Sequence, residues 1–136
     1  MSRDNVIKHL EMLQGIINRM ASNSFLIKGW TVVLTGASFW LLARSGANCS
    51  GKYGIMAVVA VFWGLDGYYL RQERLFRKLY NNVTLRSDTD FLMDTSPFER
   101  EVASWIETCF RGSKGNSAPT ILVFYGIVEA AILVIL

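Results

Sequence analysis

Two prolines and one histidine among 136 residues set the first limits on this chain. Proline breaks helices by removing an amide donor and clashing with the preceding turn. Pro97 and Pro119 are the only two, so everything before residue 97 is free to form long, unbroken helices. With His9 as the sole histidine and Cys49 and Cys109 far apart, no zinc or redox spacing exists. Nucleophile elbows, phosphate loops, paired-histidine metal motifs and dinucleotide fingerprints are also missing. The expectation is a protein that is not an enzyme and uses no metal or cofactor. His9 is expected on an exposed helix face. The net charge of +3 is too modest to suggest a nucleic-acid partner. Arg3, Asp4, Lys8, Glu11 and Arg19 make the start too polar for the apolar core of a signal peptide.

What the chain has in abundance is apolar residues, 51% of the total, gathered into long and nearly uncharged blocks. Residues 25–43 carry one charge, Lys28; residues 53–70 carry one, Asp66; residues 120–136 carry one, Glu129. About 20 helical residues cross a hydrocarbon core of about 30 Å. The first two blocks meet that length, and the third sits at the short limit, as a full span or as a re-entrant partner. The sequence therefore predicts an all-α integral membrane protein with three transmembrane helices. An amphipathic cytosolic helix over 1–24 precedes them, an external loop over 44–52 joins the first two, and a cytosolic helical region over 71–119 leads to the third. Twelve of the fourteen Lys and Arg fall in 1–28 and 71–119, against Arg44 and Lys52 between the first two spans. Positive charge stays inside, so the N-terminus is expected in the cytoplasm of a plasma membrane. Cys49 and Cys109 then lie on opposite sides and do not pair.

Within 1–24, Val6, Leu10, Leu13, Ile17 and Met20 form a seam of 3.5-residue period. It suits either an amphipathic helix resting on the membrane or cytosolic region, or a self-association seam. Asn23 and Ser24 are expected to break or recap this helix before the first span. The second span is expected to continue to about Val83, with Leu75, Leu79 and Val83 stacked one turn apart. Its basic stretch, Arg71, Arg74, Arg77 and Lys78, is placed to meet anionic lipid headgroups. A further helix is expected from Pro97 to about Phe110, capped by Ser96, Asp94 or Thr95 and burying Phe98, Val102, Trp105, Ile106 and Cys109. Residues 111–117 read as a flexible linker.

Small residues let helices approach closely in lipid. Gly54, Ala57, Gly64 and Gly67 line one stripe of the second span, and Gly126 and Ala130 form a pair in the third. This surplus of packing faces suggests a homo-oligomer. Lys28 and Asp66 reach the same depth in an antiparallel hairpin, either as an ion pair or both snorkelling to the interface. Glu129 has no cation at its depth, and Thr35 and Ser38 are its candidate polar partners. It serves either as a protonated, hydrogen-bonded tie between helices or as a pore-lining carboxylate repeated around an oligomer.

Residues 15–30 (GIINRMASNSFLIKGW), 62–80 (FWGLDGYYLRQERLFRKLY) and 93–98 (MDTSPF) resemble a group of small, largely uncharacterised bacterial multi-pass membrane proteins. The order of parts, a short helix, a two-span hairpin and a long cytosolic helix, is similar to that of the SLATT-type effectors of antiviral defence. That resemblance implies an oligomer in the bacterial inner membrane that forms a pore or perturbs the bilayer. The alternative is a membrane anchor or adaptor that docks a cytosolic protein through residues 71–117.

Overall fold

The computed structural model describes residues 2–45, 49–111 and 120–135. Most of the expected linker over 111–117 and the middle of the expected loop over 44–52 lie outside them. All regular structure among the described residues is helical. Helix α1 spans Ser2–Ser45 and α2 spans Cys49–Thr84. A 3-10 turn follows at Ser96–Phe98, then α3 at Trp105–Arg111 and α4 at Thr120–Ile135.

α1 and α2 are each long and apolar enough to cross a membrane, whereas α4 is apolar but shorter. Only 11% and 17% of their most apolar windows are buried inside the protein. A core helix of a water-soluble domain would hide such a window. Here Val33, Trp40, Leu41, Val61, Ile127 and Val134 face outward instead, which is favourable where hydrocarbon is the solvent. The exposure, like the length, suits a membrane location.

At about 1.5 Å per residue, α1 and α2 run for about 66 and 54 Å. They lie antiparallel along nearly their whole length. Ser24 meets Asp66 midway, and Leu42 would meet a Cβ placed on Gly51 at the other end. The expected break at Asn23 and Ser24 does not occur: α1 passes through both. Ser24 uses its hydroxyl on Asp66 rather than on its own backbone, so residues 24 and 25 are joined within one helix. Helical structure enters both ends of the expected 44–52 segment, since α1 ends at Ser45 and α2 begins at Cys49.

Two separate cores are buried among the described residues. In the first, Val6 and Leu13 of α1 pack against Leu79 and Val83 of α2, with Leu10, Phe76, Tyr80, Met93 and Phe98 around them. The N-terminal seam is thus filled from within the chain by the far end of α2. In the second, Val59 of α2 packs with Ile121, Tyr125 and Ile132 of α4, bordered by Phe39, Ile55, Phe62, Trp63 and Leu70.

The segment from 85 to 111 runs back along the paired helices. His9, expected on an exposed face, is instead fully buried beneath it. Its Nδ1 lies 2.5 Å from the Thr89 hydroxyl, and its ring leans on Phe91, which sits at a positive φ of 57°. The exposure expected from the polarity of His9's neighbours fails because residues 89–91 fold over it.

The single helix expected from Pro97 to Phe110 is instead a 3-10 turn, a non-helical stretch and the short α3. Ser104 starts α3 anew: its amide bonds Glu107, and its hydroxyl accepts the Glu107 amide, a reciprocal capping arrangement. The burial within this stretch differs as well. Val102 and Cys109 are buried, but Trp105 and Ile106 are exposed while Ala103 and Thr108 are buried in their place.

Asp94 holds the start of the turn, accepting from both the amide and the hydroxyl of Ser96 at 2.9 and 2.6 Å. These bonds hold its carboxyl below the usual range, the hydroxyl contributing most and the amide next. A depressed pKa favours the folded turn above the unfolded value, near 4, and that contribution is lost as pH falls through the folded value. Protection of the Ser96 amide, taken relative to its intrinsic exchange rate, is expected to fall as pH drops through that folded value, below about 4. In Asp94→Asn the protection is expected to be lower throughout and to show no such step.

Candidate functional site

Where α1, α2 and α4 meet, polar side chains gather inside otherwise apolar helices. Asp66 is completely buried. Lys28 Nζ stands 2.5 Å from Asp66 Oδ2 and donates to Ser24 Oγ at 2.9 Å, while the Ser24 hydroxyl donates to Asp66 Oδ1. Of the two arrangements open from sequence, the ion pair is the one formed. Ser24 and Lys28 share a face because they are one turn apart on α1.

The next turns extend the group. Thr31 is buried and donates to the Ile27 carbonyl at 2.8 Å. The Tyr125 hydroxyl of α4 donates to the Phe62 carbonyl at 3.4 Å and also reaches the side chains of Thr31 and Asp66. Tyr125 is fixed by a parallel stack on Trp63 at 5.9 Å. One turn beyond Thr31 comes Thr35, and one turn beyond Tyr125 comes Glu129. Thr35 Oγ1 and Glu129 Oε2 are both buried, and neither has a hydrogen-bond partner. Ser38 joins Thr31 and Thr35 along a cavity of about 310 Å³ between α1 and α2, whose opposite wall includes Gly51, Gly54 and Val58.

The stripe of small residues divides in two. Gly64 and Gly67 receive α3. The Trp105 indole donates to the Gly64 carbonyl at 2.9 Å, and its ring would stand 3.2 Å from a Cβ at Gly64. A Cβ at Gly67 would collide with Cys109 Sγ, so only glycine permits this approach. Trp63 secures the same junction by donating to the Cys109 carbonyl at 3.1 Å. The Cys109 thiol is free and buried, and burial foremost, with the Asp66 charge adding to it, raises its pKa. Gly54, Ala57, Gly126 and Ala130 instead lie on exposed faces, and nothing stands within 4 Å of a Cβ at Gly54 or Gly126.

Of the basic stretch, Arg77 is taken up by Glu73, with Nε at 2.8 Å and Nη2 at 2.7 Å from the same oxygen. Lys78 pairs with Glu101 at 3.2 Å on the surface. Arg71 Nε and Arg74 Nη1 are buried with no hydrogen-bond partner. No cluster of three or more His, Cys, Asp and Glu suited to a metal occurs among the described residues.

Sequence reasoning missed Ser24, Thr31 and Tyr125. A signal existed for each: Ser24, Lys28, Thr31 and Thr35 follow the spacing of one helical face, and Tyr125 precedes Glu129 by one turn. Comparison with protein-family models, curated proteins and solved structures gives no match for this chain.

Proposed function

We propose that the protein is an oligomeric, three-span membrane protein with its N-terminus in the cytoplasm, and that its assembly conducts cations along the polar file ending at Glu129. The observation that carries this reading is the pair of buried, unpartnered atoms, Thr35 Oγ1 and Glu129 Oε2, above a satisfied cluster of Ser24, Lys28, Thr31, Asp66 and Tyr125. A carboxyl group within hydrocarbon is costly unless it meets a proton, a cation or water. Thr35 on α1 and Glu129 on α4 each lie one turn beyond members of that cluster, so oxygen atoms continue along both helices in the direction such a species would take. The exposed Ala57, Gly126 and Ala130 support self-association, since small residues on lipid-facing surfaces favour helix contact. The bacterial inner membrane and a role in antiviral defence rest on the resemblance in the order of parts alone.

The test is cation flux into vesicles of bacterial-type lipid carrying the full chain. Wild type is expected to leak cations above empty vesicles, and Glu129→Gln to reduce the rate about tenfold or more. Flux equal to that of empty vesicles, or equal in the two proteins, refutes conduction through Glu129. A second reading, a membrane anchor for a cytosolic protein, draws on Leu85 and Leu92, which stand exposed beyond the end of α2. Detergent-solubilised chain that repeatedly carries a stoichiometric second protein would favour it.

A further inference from the structure

A cleft of about 300 Å³ opens between α2 and the turn before α3, lined by Arg74, Arg77, Lys78, Asn81, Glu101 and Val102. We infer that this cleft binds one phosphate group, carried by a membrane lipid or by a free phosphate, with Arg74 as the main contact and Lys78 as the second.

Three observations converge on it. The first is the state of Arg74. The side chain is half-buried and lines the cleft, and its Nη1 is shut from solvent with no hydrogen-bond partner, so the guanidinium is partly stripped of water with no protein anion bonded to it. Neighbouring Glu73 bonds Arg77 instead. Burial lowers the pKa of Arg74, and the Glu73 charge offsets only part of that. An external anion would complete the set.

The second is composition. Three cations face the cleft, opposed by Glu101 at its edge and by Glu73, which is already engaged. The Asn81 side chain adds a neutral donor, and Val102 and Ala103 give an apolar wall. The planar, forked donors of arginine suit phosphate oxygens, and lysine adds a compact charge. The Lys78–Glu101 pair is exposed on both sides, so it is weak and a phosphate can displace Glu101.

The third is depth. Leu70 still borders the apolar core shared with α4. Arg74 lies one helical turn further, about 6 Å, and Lys78 about 12 Å. The headgroup layer occupies roughly 5–8 Å on each side of the hydrocarbon. A lipid phosphate would thus lie level with Arg74. This depth argument rests on the topology proposed above; the cleft and the unpaired Arg74 do not.

The test uses the full chain in mild detergent, offered an equimolar mixture of phosphatidylcholine, phosphatidylglycerol and phosphatidic acid, with bound lipid read by native mass spectrometry. A parallel arm titrates inorganic phosphate and follows it by ³¹P NMR. A lipid source predicts retention of an anionic lipid over phosphatidylcholine, weakened about tenfold or more in Arg74→Gln. A soluble source predicts phosphate binding with the same dependence on Arg74 and no lipid preference. Either result supports the site. Glu101→Gln, which frees Lys78, is expected to tighten binding about threefold, a gain that misfolding cannot produce. The exposed Lys8→Gln serves as the charge control. The inference is overturned if Arg74→Gln and Glu101→Gln match wild type with both probes, or if Lys8→Gln loses as much binding as Arg74→Gln. Cation flux is scored separately, so the phosphate site and the conduction pathway can fail independently.

Discussion

Lys28→Met is expected to destabilise the fold by about 3–5 kcal/mol, and adding Asp66→Asn is expected to recover most of that loss. The asymmetry of the pair sets this order. Asp66 has no exposed surface, whereas the Lys28 side chain keeps 28% of its own. Removing the lysine strands a buried carboxylate beside Ser24 with no countercharge. Removing the aspartate alone costs less, because the long lysine side chain can extend to the headgroup layer. In the double variant no buried charge remains, and Ser24 still finds an amide at position 66. The measurement is the unfolding midpoint in dodecylmaltoside titrated with sodium dodecyl sulfate. The expected ranking of loss is Lys28→Met, then Asp66→Asn, with the double variant below the first. Losses that simply add would show that the two side chains do not act as a pair.

Leu13→Ala is expected to cost about 2–5 kcal/mol and to act on the half of the molecule around Val6 alone. Leu13 is fully buried and sits with Val6, Leu79 and Val83, in the half that the proposed topology leaves in water, where the hydrophobic effect holds the helices together. Val33, by contrast, points away from the protein. Lipid solvates valine and alanine nearly alike, so Val33→Ala is expected to change stability by less than about 0.5 kcal/mol. Hydrogen exchange separates the two regions. Leu13→Ala should collapse protection around residues 6–17 and 75–83 and spare the Tyr125 region. Uniform loss along both helices would show that the two cores unfold as one.

Much of this architecture was legible from residue types. Long apolar blocks with one charge each marked the segments that became the outer halves of α1 and α2. Matching depths of Lys28 and Asp66 in a hairpin anticipated their pairing. The 3.5-residue seam from Val6 to Met20 indicated a helix seeking a partner, though not which one, because Leu75, Leu79 and Val83 offer a complementary face only once the helices are antiparallel. Ser24 misled because the residue type that caps a helix also binds a buried carboxylate, and only the position of Asp66 across the hairpin decides between them. His9 misled for a related reason: its cover, Thr89 and Phe91, is distant in sequence and arrives through a turn with no periodic signature. The stretch after Pro97 carries helix-favouring residues, but Asp94 and Ser104 each set a local start, so one expected helix became two short pieces. The cleft around Arg74 was half legible. Its basic stretch stood out in sequence, yet which cation stays unpaired depends on the Glu73–Arg77 bonds and on the turn bearing Glu101.

α1 and α2 pass from the aqueous to the apolar region without proline, break or hinge. Such a pair behaves as a stiff double lever. A twist applied where His9 meets Thr89 is carried toward Leu42 and Gly51, because no break in either helix lies between. Whatever grips the end of the pair that holds His9 therefore has a mechanical handle on the end that holds Leu42 and Gly51.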